Sequence, residues 1–159
     1  EPNNFYATTK YISEQIVKSY SNYFDTTILR FFFVYGPNQK NMLIPNLINS
    51  IKEGKTIYLN SEDGMKFTPT YIDDAVAAIE KSIKISGNNI INVAGEEITS
   101  IKKISEIIGE IIGMRPVFEH IKDNEINYIA DTKIMKSLLE IERTISVKDG
   151  LKKSIEETK

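Results

Sequence analysis

Thr26-Thr-Ile-Leu-Arg-Phe-Phe-Phe-Val-Tyr35 is a nearly uninterrupted run of β-branched and aromatic residues. A run without polar alternation is typical of a strand that is covered on both faces, as in a parallel sheet. Gly36-Pro37-Asn38 follows at once and predicts a sharp end to the strand. In doubly wound folds, ligands bind beyond the carboxyl ends of the strands, so this loop is well placed for a ligand. A core strand followed by a plain turn explains the hydrophobic run as well.

The segments on either side of this run alternate between helix and strand patterns. Upstream, apolar residues at three- and four-residue spacings predict a helix over residues 5–24. Downstream, the patterns predict a helix over 43–52, a strand over 56–59, an extended piece over 70–72, a helix from Asp73 to residue 85, a strand over 89–94, a helix from residue 99 or 100 to Gly113, an edge strand over 115–121, and helices over 132–139 and 147–157. Asp73 and Ser146 are expected to cap their helices. This order predicts the α/β class.

The composition is that of a soluble globular protein. The chain has 159 residues, of which 41% are hydrophobic and 26% charged, and its net charge is −2. These values fit one domain and argue against a nucleic-acid or membrane partner. The absence of cysteine excludes thiol chemistry and thiolate metal sites, and the single histidine makes a histidine-rich metal site very unlikely. No apolar run approaches membrane-spanning length, so a cytoplasmic location is expected.

Tyr6-Ala-Thr-Thr-Lys10 puts a phenol and an ammonium group on one face of the first predicted helix. A nearby positive charge favours the phenolate form of a tyrosine, which can then act as a general base. By spacing alone the pair is weak support for a site, because chance yields about one such pair in a chain of this composition. An ordinary surface pair is the alternative.

Several motifs, in this order, carry a family resemblance: YATTK at 6–10, LRFFFVYGPNQ at 29–39, IPNLINSIKEGKTI at 44–57, EDGMKFTPTYIDDAVAAI at 62–79, NNIINVAGEEITSIKKISEIIGEIIG at 88–113, ADTKIMKSLL at 130–139 and SVKDGLKKSIEE at 146–157. Together they cover almost the whole chain. They resemble the extended short-chain dehydrogenase/reductase family, the nucleotide-sugar epimerases and dehydratases. The resemblance implies the C-terminal part of a Rossmann-like doubly wound sheet together with a small α/β substrate-binding region.

The resemblance also implies roles for individual residues. Tyr6 is expected to be the catalytic base, and Lys10 its partner in binding the cofactor, NAD or NADP. Phe33 and Tyr35 are expected near the cofactor, and Phe33, Gly36 and Lys66 near a nucleotide-sugar substrate. Relatives pair through a helix bundle, which implies a possible homodimer through the Tyr6 helix.

The sequence departs from the family pattern in three ways. Phe33 stands where the family often has an Asn that helps to hold the sugar diphosphate, and Lys66 is the nearest basic residue to the place of a family Arg. None of the eight glycines forms the Gly-rich dinucleotide loop, which in the family precedes the Tyr-x-x-x-Lys motif. We therefore expect residues 1–159 to be a single fragment that lacks the dinucleotide-binding half and is inactive alone. The alternatives are a non-catalytic structural or substrate-binding module, and a reductase of the same family with a non-sugar substrate.

Overall fold

The computed structural model describes residues 4–124 and 126–158. Within these ranges the helices are α1 (Phe5–Ser19), α2 (Leu43–Lys52), α3 (Ile72–Ser82), α4 (Ile101–Ile112), α5 (Lys133–Leu139) and α6 (Val147–Glu156). The strands are β1 (Thr26–Phe31), β2 (Val34–Tyr35), β3 (Thr56–Leu59), β4 (Lys66–Phe67), β5 (Thr70–Tyr71), β6 (Asn88–Val93), β7 (Thr99–Ser100) and β8 (Val117–His120). The predicted α/β class is confirmed.

The strands form four two-stranded pieces, three of them parallel. β1 pairs with β6 over its whole length, β2 pairs with β5, and β3 pairs with β8. Only β4 and β7 are antiparallel, and the sequence patterns did not predict either of these two-residue strands. The parallel pairs need crossover connections, which helices α2 to α4 supply within the chain.

The predicted single strand over residues 26–35 is wrong in its second half. β1 ends at Phe31, and the backbone turns at Phe33, whose φ is 42°. Thr70 explains the break, because its hydroxyl donates to the carbonyls of Phe32 at 2.6 Å and Val93 at 3.2 Å. The chain is thereby diverted from β6, and β2 pairs with β5 instead. Nor is β1 covered on both faces, since its last two residues, Arg30 and Phe31, are exposed.

Two other boundaries differ from prediction. α1 ends at Ser19 rather than Phe24, because the chain reverses through turns to enter β1. α3 begins directly after β5, so Tyr71 is its N-cap and the prediction that Asp73 caps it is wrong. Asp73 lies instead in the first turn, where a carboxylate interacts favourably with the helix dipole. Ser100 and Ser146 do cap their helices, accepting from the backbone amides of Lys103 and Asp149.

Two hydrophobic clusters form the core. The larger joins α2, α4 and α6 to β3, with Ile51, Leu59, Ile104, Ile108 and Leu151 among its fully buried side chains. The smaller lies between β6, α3 and α5 around Ile91 and Met135. α1 belongs to neither cluster and buries none of its residues. No helix in the described ranges has the length and apolar character needed to cross a bilayer.

Candidate functional site

The Tyr6–Lys10 pair lies on an open face of α1. Asn4 caps this helix by accepting from the Ala7 amide at 2.8 Å, so the first turn is formed just before Tyr6. The Tyr6 side chain is 70% exposed, and the Lys10 ammonium lies 5.5 Å from the centre of its ring. Within the described residues neither the Tyr6 hydroxyl nor the Lys10 ammonium has a hydrogen-bond partner. Both polar groups are therefore available to a ligand.

An ion pair joins the middle of α1 to β1. Arg30 donates from Nε to Oε1 of Glu14 at 2.7 Å and from Nη2 to Oε2 at 2.5 Å. The hydrogen bonds from Arg30 hold the pKa of the Glu14 carboxyl below its usual range, and the same bonds raise the pKa of Arg30. Sequence reasoning did not single out either residue, although Glu14 follows Lys10 by one helical turn.

Phe33 lies in an aromatic cluster at the end of β1. Its ring centre is 4.7 Å from that of Phe67 and 5.7 Å from that of Tyr128. Phe67 is fully buried, whereas Tyr128 is 47% exposed. Tyr128 could not be found from the sequence because its segment shows no periodic pattern, and a single isolated bridge to Phe67 brings it here. The cluster offers a ligand an apolar surface at this point.

Side-chain packing determines the position of the Tyr35 ring and requires glycine at residue 36. The Tyr35 ring is 2% exposed and meets the Tyr71 ring edge-on, with centres 5.6 Å apart. Burial and the nearby carboxylates raise the pKa of Tyr35 well above its usual range, so its phenol stays protonated. A Cβ on Gly36 would lie 2.6 Å from the side chain of Ile72, so only glycine fits there. A contribution of Tyr35 to cofactor binding is thus restricted to its backbone.

The backbone of Lys66 borders the aromatic cluster, because the Tyr128 amide donates to the Lys66 carbonyl at 2.8 Å. Successive strand residues point to opposite faces, and while Phe67 enters the core, Lys66 is exposed. It lines an open depression of about 450 Å³ together with Lys102 and Lys103 at the start of α4. The first amides of α4 are already satisfied, for example Lys102 by the Asp63 carbonyl at 3.0 Å and Lys103 by the Ser100 hydroxyl at 3.1 Å. Lys66 thus borders this depression, and the residues that line it do not include Phe33.

Two further candidates occupy ordinary positions. Asp74 accepts from the Ile145 amide at 3.0 Å, and Asp73 faces Lys153 at 3.7 Å, so the two carboxylates serve different contacts. His120 is exposed at the end of β8, with its ring 3.4 Å from the Glu62 carbonyl. The part of the chain that the structure describes contains no cluster of potential metal ligands.

Comparison with known proteins decides the family. The sequence model of the NAD dependent epimerase/dehydratase family matches residues 1–94. The chain belongs to this family. A UDP-glucuronate 4-epimerase from Thermodesulfobacterium geofontis is 33% identical over 158 residues, which are 94% of this chain and 49% of that protein. A UDP-N-acetyl-alpha-D-glucosaminuronate decarboxylase from Bacillus cytotoxicus is 25% identical over 95% of this chain and 52% of its own length.

Solved structures of epimerases and dehydratases share the fold. The UDP-glucuronic acid 4-epimerase from Bacillus cereus, in complex with UDP-glucuronic acid and NAD, has a TM-score of 0.83 at 28% identity, covering 95% of this chain and 51% of that chain. The dTDP-glucose 4,6-dehydratase from Bacillus anthracis, in complex with NAD, has a TM-score of 0.84 at 22% identity, covering 98% and 52%. The predicted membership and the Rossmann-like fold are confirmed. The chain spans about half the length of these relatives.

Proposed function

We propose that this chain supplies the general base and part of the substrate site of an NAD-dependent enzyme that epimerises or dehydrates a nucleotide sugar. Relatives over nearly the whole chain act on UDP-sugars by their names, which supports this substrate class. The observation that carries the proposal is the placement of Tyr6 and Lys10, one turn apart on an exposed helix face. An ordinary surface pair would not explain why Tyr6 and Lys10 stand in a stretch that matches this family.

The chemistry assigned to this chain is a proton transfer. The phenolate of Tyr6 takes the proton from a sugar hydroxyl, and the ammonium of Lys10 stabilises the phenolate by its charge. When bound, NAD supplies the acceptor for the hydride that leaves the same carbon. In the return step the Tyr6 phenol gives the proton back to the sugar oxygen.

The exposed groups of α1 suit a cofactor of this type. A nicotinamide ribose presents hydroxyl groups, which accept from a lysine ammonium and exchange hydrogen bonds with a phenol. Lys10 and Tyr6 present these groups without competing partners in the described ranges. The Phe33 ring and the backbone at Tyr35 would complete the cofactor side, with Gly36 and Lys66 assigned to the substrate.

The rest of the complete protein is expected to cover α1. Large apolar side chains of this helix are exposed, among them Tyr11 at 52%, Ile12 at 50% and Ile16 at 56%. An exposed apolar surface of this kind is typical of an interface. We propose that it packs against the dinucleotide-binding half, against a second copy of the protein, or against both.

A second candidate function retains the cofactor and changes the substrate. The aromatic cluster of Phe33, Phe67 and Tyr128 favours a reductase whose substrate is less polar than a sugar diphosphate. In this case Tyr6 and Lys10 keep their roles, and the Phe33 ring contacts the substrate.

Cofactor titration tests the proposed division of the site. We expect NAD to bind the complete natural protein in a calorimetric titration, and to show no measurable binding to residues 1–159 alone. NAD binding to the isolated chain would contradict the assignment of the dinucleotide site to another part of the protein. A complete protein that fails to bind NAD(P) would favour the non-catalytic module.

A further inference from the structure

We propose that the Glu14–Arg30 ion pair positions the general base, because it fixes the tilt of α1 on β1 and thereby the place of Tyr6. The inference rests on the function proposed above for Tyr6. Glu14 and Arg30 are positioning residues in this account. Neither is expected to touch the substrate or the cofactor.

The ion pair fixes direction as well as distance. The planar guanidinium of Arg30 meets the Glu14 carboxylate through two parallel hydrogen bonds, at 2.7 and 2.5 Å. Such a fork constrains the angle between the two groups, which a single lysine contact does not. The Glu14 side chain is 17% exposed, unlike most of α1, so the contact lies at the seam between helix and strand.

Few other contacts hold this helix in the described part of the chain. α1 buries no residue, and Ala7, Thr8 and Glu14 are its half-buried side chains. Just beyond its last turn, Asn88 donates from Nδ2 to the Ser21 carbonyl at 3.2 Å. The Glu14–Arg30 pair and the Asn88–Ser21 bond thus link α1 and the turn after it to β1 and β6, and Tyr6 lies towards the N-terminal end of the helix.

The distance between Glu14 and Tyr6 along α1 makes the position of Tyr6 sensitive to the Glu14–Arg30 ion pair. With a rise of 1.5 Å per residue, Tyr6 lies about 12 Å beyond Glu14 and about 20 Å beyond Ser21. If the ion pair is lost, the angle of α1 on β1 is no longer fixed at Glu14, and over about 12 Å a small change of that angle becomes a displacement of Tyr6. A misplacement of about 1 Å at a reacting group is enough to reduce a rate by about 100-fold.

Turnover of the complete natural protein with NAD and UDP-glucuronic acid tests the inference. Two variants break the fork while keeping the size of the side chains, Glu14→Gln and Arg30→Lys. We expect each to lower kcat by about 10- to 100-fold and to leave the KM for the sugar nucleotide within about two-fold. The exchanged pair Glu14→Arg with Arg30→Glu is expected to recover most of the loss, whereas Lys55→Gln, which breaks the exposed ion pair with Glu53 outside α1, leaves kcat unchanged.

The outcomes separate this inference from the proposed function. Wild-type kcat in both single variants overturns the positioning role. So does a lowered melting temperature with wild-type kcat below the transition, because a purely structural contact gives that result. An exchanged pair no better than the single variants also counts against it. A wild-type protein that turns over no nucleotide sugar contradicts the proposed function itself.

Discussion

Tyr35 and Gly150 are in direct contact: the phenol oxygen of Tyr35 occupies the space that a side chain at residue 150 would need. Gly150 lies within α6, where alanine is ordinarily the better helix former by about 1 kcal/mol. An added methyl group would also approach Tyr71 to 2.9 Å. The contact joins β2, which precedes the loop at residues 36–38, to α6.

Gly150→Ala should therefore destabilise the protein although it favours the helix. We expect the free energy of unfolding to fall by about 2 kcal/mol, because overpacking destabilises the protein by more than the higher helix propensity of alanine stabilises it. Chemical denaturation of the chain measures this change. In the double variant Tyr35→Phe, Gly150→Ala, removal of the hydroxyl should restore part of the loss, because the close approach to Tyr71 remains. A stabilised single variant would mean that the Tyr35 ring moves aside easily.

Two buried threonines should respond in opposite directions to valine. Within the described residues the Thr99 hydroxyl is buried without a hydrogen-bond partner, whereas the Thr70 hydroxyl bonds to two carbonyls. We expect Thr99→Val to raise the free energy of unfolding by about 1 kcal/mol and Thr70→Val to lower it by about 1–2 kcal/mol. Urea denaturation of both variants provides the comparison. Equal losses in the two would show that Thr99 has a partner.

The charge of Asp74 should oppose folding at neutral pH. Burial is the main cause that raises the pKa of this carboxyl, with Asp73 adding to it, although the Ile145 amide favours the charged form. A raised pKa means that the folded state binds the proton more tightly, so the stability of the wild type falls as the pH rises through that pKa.

Asp74→Asn keeps an acceptor for Ile145 and removes the charge. Its melting temperature should therefore exceed that of the wild type at pH 7, and the difference should vanish below about pH 4, where aspartate is protonated in both states. Asp73→Asn, on the same turn but exposed, is the matched control and should show no such trend. A melting-temperature difference between Asp74→Asn and the wild type that grows towards low pH would contradict this prediction.

Phe33→Asn tests the two substrate classes. Asparagine tolerates the left-handed backbone of residue 33 better than phenylalanine does, and its amide offers a donor where the ring stands. If the substrate is a nucleotide sugar, we expect its KM in the complete protein to fall by roughly 3- to 10-fold. Phe31→Asn, two residues away on β1, is the control. A raised KM would favour the less polar substrate of the alternative function.

The sequence was sufficient to predict those elements whose ends and buried face are determined by residues within the element itself. α4 follows the prediction closely because Ser100 caps it, isoleucines repeat at helical spacing on one side, and Gly113 ends it with a φ of 72°. The Tyr6–Lys10 pair was likewise predictable, since helical spacing alone puts both side chains on one face.

Features that depend on distant segments were not predictable. The break between β1 and β2 requires the hydroxyl of Thr70, about 40 residues later, and no pattern within residues 26–35 reports it. The burial of the Tyr35 ring depends on α6, from the other end of the chain, and no local pattern indicates it. The exposure of Lys66 beside the buried Phe67 belongs to β4, which pairs with β7, and both strands are too short to show a period.

Substitution of Tyr6, the proposed general base, tests the central claim most directly. In the complete protein, with NAD and UDP-glucuronic acid, we expect Tyr6→Phe to lower turnover by about 10²- to 10⁴-fold, the range that proton transfer contributes. Tyr11→Phe, which removes an exposed hydroxyl from the same helix, should leave turnover unchanged. Both variants should have the melting temperature of the wild type. Turnover of Tyr6→Phe within two-fold of the wild type would contradict the account.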